Sequence, residues 1–181
     1  TLQDAIFNSP NFSSIATDAE GVIQIFNVGA ERMLGYKAED VVDKITPAGI
    51  SDAQEVIARA KALSVEFGTT IQPGFEALVF KASRGIEDIY ELTYIRKDGT
   101  RFPAVVSVTA LRDAEEAIIG YLLIGTDNTA RKQADDRLRT ASQYARSLIE
   151  ASLDPLVTIS PEGKITDVNA GSIKVTGVSR E

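Results

Sequence analysis

The sequence predicts an α+β fold: two short strands, a run of helices and three longer hairpin-connected strands, then one long helix and the opening of a second, similar module. Three observations predict it. Residues 89–127 alternate apolar and polar side chains in three long stretches, joined at Lys97-Asp98-Gly99 and again at 113–117, and Asp-Gly between alternating stretches is a strong hairpin signal. Residues 128–152 are dense in charge and contain neither Gly nor Pro. Finally, residues 15–39 return 142 positions later as residues 157–181, with seven of 25 pairs identical: Glu20/Glu162, Gly21/Gly163, Ile23/Ile165, Asn27/Asn169, Gly29/Gly171, Gly35/Gly177 and Glu39/Glu181.

The second copy stops where the first would enter its helices. The chain is therefore expected to be a piece of a longer tandem array. Its expected parts are a first module over 1–127, a connecting helix over 128–152 and the opening of a second module over 153–181. Hydrophobic residues make up 44% and charged residues 25% of the 181, ordinary values for a globular chain. No apolar run reaches the ~18 residues a membrane span needs. The net charge of −7 argues against a nucleic-acid partner, and the local basic cluster around Arg96, Lys97 and Arg101 reads as a solvated turn. With no cysteine and no histidine, disulfides, thiolate metal sites and histidine-based catalysis are excluded.

The elements follow in order. Strands over 14–18 and 22–27 flank Ala19-Glu20-Gly21, and Asn27 ends the second, where its amide can start a helix. Ala30, Met33 and Leu34 make a short apolar face closed by Gly35, and 38–42 adds another turn. Val56, Ile57, Ala60, Leu63 and Phe67 recur at helical spacing behind Ser51 or Asp52 as cap, so 51–67 is a helix ended by Gly68. Residues 75–82 are apolar without a clean period and read as short helix or extended chain. In the strand over 101–111, Phe102, Ala104, Val106, Val108 and Ala110 share one face, which predicts one buried side. Ala134, Leu138, Ala141, Ala145, Leu148 and Ser152 follow a 4-3-4-3-4 spacing. That spacing fits the seam of a dimeric coiled coil and also an amphipathic helix packed on its own domain.

This order of elements, with Tyr94-Ile95-Arg96-Lys97-Asp98-Gly99-Thr100-Arg101-Phe102-Pro103 and a last strand ending Asp127-Asn128-Thr129, resembles a PAS domain over about residues Ala5 to Lys132. It is similar to the sensory modules of bacterial histidine kinases and diguanylate cyclases, and the repeat resembles the start of a second PAS domain. The resemblance implies a five-stranded antiparallel sheet with helices on one face, cupped around a cavity and followed by a long C-terminal signalling helix. It implies that Asp127 and Thr129 relay the state of the core to the exit helix and its seam residues Leu138 and Leu148. It also implies a positioning ion pair between Asp40 and Lys97.

Absences narrow the cofactor. Histidine-ligated haem and the cysteinyl-flavin photochemistry of the blue-light subfamily are both excluded, and the asparagines that hold flavin there align with Tyr94 and Ala104. A non-covalent small ligand or none remains, with no metal. The candidate lining is Ile25, Asn27, Ile57, Leu63, Phe67, Tyr90, Leu92, Tyr94, Val106, Val108, Leu122 and Ile124, with Ser107 and Thr126 as further polar groups; each also fits plain core. Acid pairs such as Glu115-Glu116 and Asp135-Asp136 read as solvated charge, so no catalysis is expected. Two functions stay open: a cytoplasmic sensory and dimerisation module feeding an output domain, or an assembly scaffold whose cavity is filled by its own side chains. A homodimer is expected through the long helix, a sheet edge, or both. The stub over 157–168 is expected to fray or to pair with a neighbouring sheet edge.

Overall fold

The computed structural model describes residues 9–178; the start of the resemblance at Ala5 and the Glu39/Glu181 pair lie outside them. The chain forms two compact units, Thr1–Thr129 and Ala130–Glu181. In the first, β1 (Ser13–Asp18) and β2 (Ile23–Phe26) lead to the short helices α1 (Val28–Leu34) and α2 (Ala38–Val41). A single 3₁₀ turn (Pro47–Ile50), α3 (Ala53–Phe67) and α4 (Phe75–Ser83) follow, before the long strands β3 (Asp88–Ile95), β4 (Arg101–Arg112) and β5 (Ile118–Asp127). The five strands form one antiparallel sheet in the order β2-β1-β5-β4-β3.

Local chemistry explains most boundaries. Asn27 caps α1 by accepting from the Ala30 amide, and Gly35 ends that helix in the left-handed region at φ 76°, where glycine carries no Cβ penalty. Of the two candidate caps for α3, Asp52 serves: its carboxylate accepts from the amides of Gln54 and Glu55. The ambiguous stretch is helical. In α4, Ala77, Leu78, Val79, Phe80 and Ala82 are all buried, and a helix covered nearly all round shows no apolar stripe to read.

The core lies between the helices and one face of the sheet. Val106 sits opposite Gly125, Val108 opposite Leu123 and Ala110 opposite Tyr121, and residues directly opposite share a face. Tyr94 pairs with Phe102 and Leu92 with Ala104, completing that inner face. Both outer edges of the sheet are partly covered by chain. Asp43 and Ile45 bond to the backbone of Ile23 on β2, and Asp52 donates to Thr93 on β3.

The second unit contains the helix α5 (Thr129–Ala151, whose first residue belongs to the first unit), the hairpin β6 (Val157–Ile159) and β7 (Ile165–Val168), and α6 (Ala170–Thr176). Residues 157–168 form a hairpin of their own: β6 pairs with β7, and the register shifts between Thr158 and Ile159. The equivalent shift in the first hairpin falls between Ala16 and Thr17. No residue of α5 is buried, and its seam residues Leu138 and Leu148 are exposed. Among the described residues no helix is long and apolar enough to cross a membrane.

Candidate relay corner and inner face

The last residues of β5 meet the β3–β4 hairpin and α1 at one corner. Asp127 Oδ1 accepts from the Thr129 amide at 2.8 Å and from Thr129 Oγ1 at 2.5 Å, holding the first turn of α5 by a side-chain bond of the N-cap kind. Its other oxygen faces Arg96, with Nη2 at 3.6 Å from Oδ2. Arg96 is the hub: its Nε donates to the Met33 carbonyl at 3.0 Å, its Nη1 to Thr100 Oγ1 at 3.2 Å, and its guanidinium lies 4.1 Å from the centre of the Phe102 ring. Phe102 is buried and packs edge-on against Tyr94. One arginine thus touches α1, the inner face and the carboxylate that holds the start of α5. The Asn128 amide donates to the Pro103 carbonyl at 2.8 Å, and its side chain donates to Glu91 Oε1 at 3.4 Å.

A second clasp ties the same hairpin to α1 and α2. The Lys97 amide donates to the Leu34 carbonyl at 2.9 Å, and Lys97 Nζ donates to Asp40 Oδ2 at 2.7 Å. The Lys97 hydrogen bond, helped by the Lys37 amide, holds the Asp40 carboxyl below its ordinary range. Reciprocally, Asp40 holds the Lys97 ammonium above its own. Glu31 is lowered chiefly by the Ala38 amide, and Asp98 by its hydrogen bonds from Thr100. These groups are exposed, so they set geometry more than stability.

The inner face gathers only part of the candidate lining. Leu63, Leu92, Tyr94, Val106 and Val108 are buried in the core, while Ile57 and Phe67 are half-buried, Phe67 edge-on to Phe80 at 5.2 Å. Tyr94, at 1% exposure, fills the space over Gly125, where an added Cβ would come 3.0 Å from its ring. Burial pushes the Tyr94 phenol well above the ordinary tyrosine range. Tyr90, raised likewise by burial, donates to the Leu78 carbonyl at 3.0 Å.

Four candidates belong elsewhere. Leu122 and Ile124 point to the outer face, and Tyr121 and Leu123 take the inner one. Four consecutive apolar residues leave β5 without a readable phase, and the pairing with β4 decides it. Ser107 and Thr126 lie on that outer face too, opposite Ile124 and Val105. Ile25 is 43% exposed, because the shift between Ala16 and Thr17 puts Ile23 and Phe26 inward instead. Asn27 is buried in a backbone clamp: Oδ1 accepts from the amides of Ser14 and Ala30, and Nδ2 donates to the carbonyls of Ser9 and Phe12.

Two features escaped the sequence. Arg59 on α3 donates from Nη2 to both carboxylate oxygens of Asp88 at 2.8 Å and from Nε to the Ala77 carbonyl at 2.8 Å. It also stacks 3.7 Å from the centre of Tyr90. The 29 positions separating the pair carry no local signature, and only helical phase on Arg59 hinted at it. An open groove of about 420 Å³ also runs between α4 and the β1–β2 turn, lined by Phe75, Val79, Phe80 and Tyr121 with Glu20 and Arg84 at its rim. Among the described residues no three His, Cys, Asp or Glu gather as metal ligands.

The chain is 25% identical over 170 residues to phytochrome C of Arabidopsis thaliana, covering 92% of this chain but only 14% of that protein. Its fold is similar to a PAS domain from Colwellia psychrerythraea, with TM-score 0.55 and 17% identity, covering 71% of this chain and 96% of that one. It is similar also to a sensory box histidine kinase/response regulator structure from Burkholderia thailandensis, with TM-score 0.54 and 14% identity, covering 81% and 98%. The family profile described as "PAS domain" matches residues 10–130, two thirds of the chain, and with the five-stranded sheet and its helices this places the chain in the PAS domain family.

Proposed function

We propose that this chain is a non-catalytic sensory and dimerisation module that relays the state of its core through α5 to an output domain in a cytoplasmic bacterial regulator. A two-component sensor histidine kinase working by phosphorelay is the first choice of parent, a diguanylate cyclase the second. The observation that carries the reading is Arg96, which contacts α1, the inner-face residue Phe102 and Asp127 together. A change in the core that moves Phe102 moves Arg96, and with it the carboxylate that holds the first turn of α5. A ligand acts on this corner only as far as it binds its two arrangements differently. The stimulus is a non-covalent small ligand or a redox change. The seam of α5 is solvent-exposed at Leu138 and Leu148, which suits a coiled-coil homodimer, with a sheet edge as the other dimer surface. Residues 153–178 are read as the opening of a second PAS domain in tandem.

The test is Leu138→Glu with Leu148→Glu. Light scattering is expected to show a dimer for the parent chain and a monomer for the double variant, with loss of coupling to a fused output domain. Unchanged mass and unchanged output sink the relay.

One observation favours an assembly scaffold without ligand: Tyr94 occupies the inner face itself, closed against Gly125. Native mass spectrometry with an absorption spectrum of freshly purified protein separates the two. A bound species supports the sensor, and a clean apo mass supports the scaffold.

A further inference from the structure

We propose that the asparagine ending the second strand of each copy, together with the glycine two residues on, is the input clamp of the module: it grips the segment that enters and makes that segment's position part of the fold. The proposal rests on the reading of α5 as the signal carrier and extends it by naming where the signal arrives.

The geometry is complete in the second unit. Asn169 is 1% exposed. Its Nδ2 donates to the carbonyls of Ile149 at 2.9 Å, Ser152 at 3.4 Å and Asp154 at 2.9 Å. Ile149 lies in the last turn of α5, where its carbonyl also accepts from the Ser152 amide at 3.3 Å. The same side chain's Oδ1 accepts from the amides of Leu156 and Ser172, both at 2.9 Å. One amide therefore joins the end of α5, the entry to β6 and the first turn of α6. The Ala170 amide also donates to the Glu150 carboxylate at 3.0 Å. Gly171 allows the approach: an added Cβ would lie 2.9 Å from the Asp154 carbonyl oxygen and 3.1 Å from that of Leu153.

The first unit repeats the arrangement. Asn27 makes the corresponding bonds to Ser14, Ala30, Ser9 and Phe12, and a Cβ on Gly29 would strike the Phe12 carbonyl oxygen. Asn27/Asn169 and Gly29/Gly171 are among the seven identities between copies. A cap alone does not require this pair, since serine or aspartate caps a helix as well; an asparagine amide adds, beside the oxygen that accepts from the cap amides, a separate nitrogen with two N–H donors for the incoming carbonyls. Each module would then take input at Asn-x-Gly, and the first delivers output at Asp127 to Thr129.

The test separates gripping from capping. The chain has no cysteine, so nitroxides on Arg139→Cys and Lys164→Cys, two exposed sites within the second unit, report the distance from α5 to the β6–β7 turn. Labelled chain is diluted in unlabelled chain so that only intramolecular distances are read. Asn169→Ser keeps an acceptor for the Ser172 amide but puts one short hydroxyl in place of the two N–H donors that reach the carbonyls of Ile149 and Asp154; Gly171→Ala keeps the asparagine and pushes the entering segment away. Both are expected to broaden the distance distribution, and Asn169→Ser to speed hydrogen exchange at the Ser152 amide about tenfold, as losing one net hydrogen bond would, while the Ser172 amide stays protected. An unchanged distribution in both variants overturns the proposal. So does equal loss of protection across β6, β7 and α6, which would make the asparagine a cap and nothing more. Because these distances are intramolecular, a monomeric chain would defeat the dimer reading and leave this one standing.

Discussion

Arg59 and Asp88 show how much one buried pair can hold. Asp88 is 4% exposed and is met at both carboxylate oxygens by Arg59, which also bonds α4 and covers Tyr90. Removing one partner leaves a buried charge unpaired, so Arg59→Ala or Asp88→Ala should cost about 3–5 kcal/mol in urea unfolding. A loss under about 1 kcal/mol would mean water solvates the survivor. Gly125→Ala tests the packing over Tyr94. Its new Cβ would lie 2.6 Å from Ser13 Oγ and 3.0 Å from the Tyr94 ring, an overpacking worth about 1–3 kcal/mol. The Asp40–Lys97 clasp gives a signed pH dependence. The folded Asp40 is depressed below its ordinary 3.8, so its contribution is present above that value and lost as pH falls through the folded value. Lys97 is raised above 10.5, so its contribution is present below that value and lost as pH rises through the folded one. The stability difference between the parent chain and Asp40→Asn should therefore be constant between the two ordinary values and shrink as pH falls through the folded Asp40 value. A difference that persists in acid would refute the clasp.

At the scale of elements, hairpins and caps were legible because their signals are local. Gly99 takes a φ of 83° in the Lys97-Asp98-Gly99 turn, and Asn27, Asp52, Gly35 and Gly68 stand where helices begin or end. The helix α4 was not legible, since burial on nearly all sides erases the stripe that marks a helix. The phase of β5 was not legible either, because Tyr121, Leu122, Leu123 and Ile124 are apolar in both phases. That phase is checkable. Leu123→Ala should cost about 2–5 kcal/mol as a core truncation, and Leu122→Ala on the outer face far less; equal losses would reverse the assignment. Of the relay corner, Asp127 and Thr129 came from the resemblance, while the arginine that connects them to the inner face did not. Its contacts with Met33 and Asp127 span 63 and 31 positions, distances over which sequence spacing carries no information.

For the whole molecule, the boundary after Thr129 and the closed register of the five-stranded sheet predict independence. A chain ending at Thr129 should unfold cooperatively with the same urea midpoint as the first unit in the longer chain; a midpoint shifted by more than about 1 kcal/mol in stability would show that the second unit supports the first. The sequence by itself determined the order of strands and helices, the turns, the repeat, and the lack of any histidine or cysteine in the given chain. Each of these depends on residue identity or on bonds reaching a few positions along the chain. The tertiary structure alone decided which side of β5 faces the helices, that Ile25 looks outward, that Arg59 and Asp88 meet, and that Asn27 serves as a clamp and not as pocket lining. These depend on strand register and on packing between distant segments, where a shift of one residue reverses every side chain and the local pattern is the same either way.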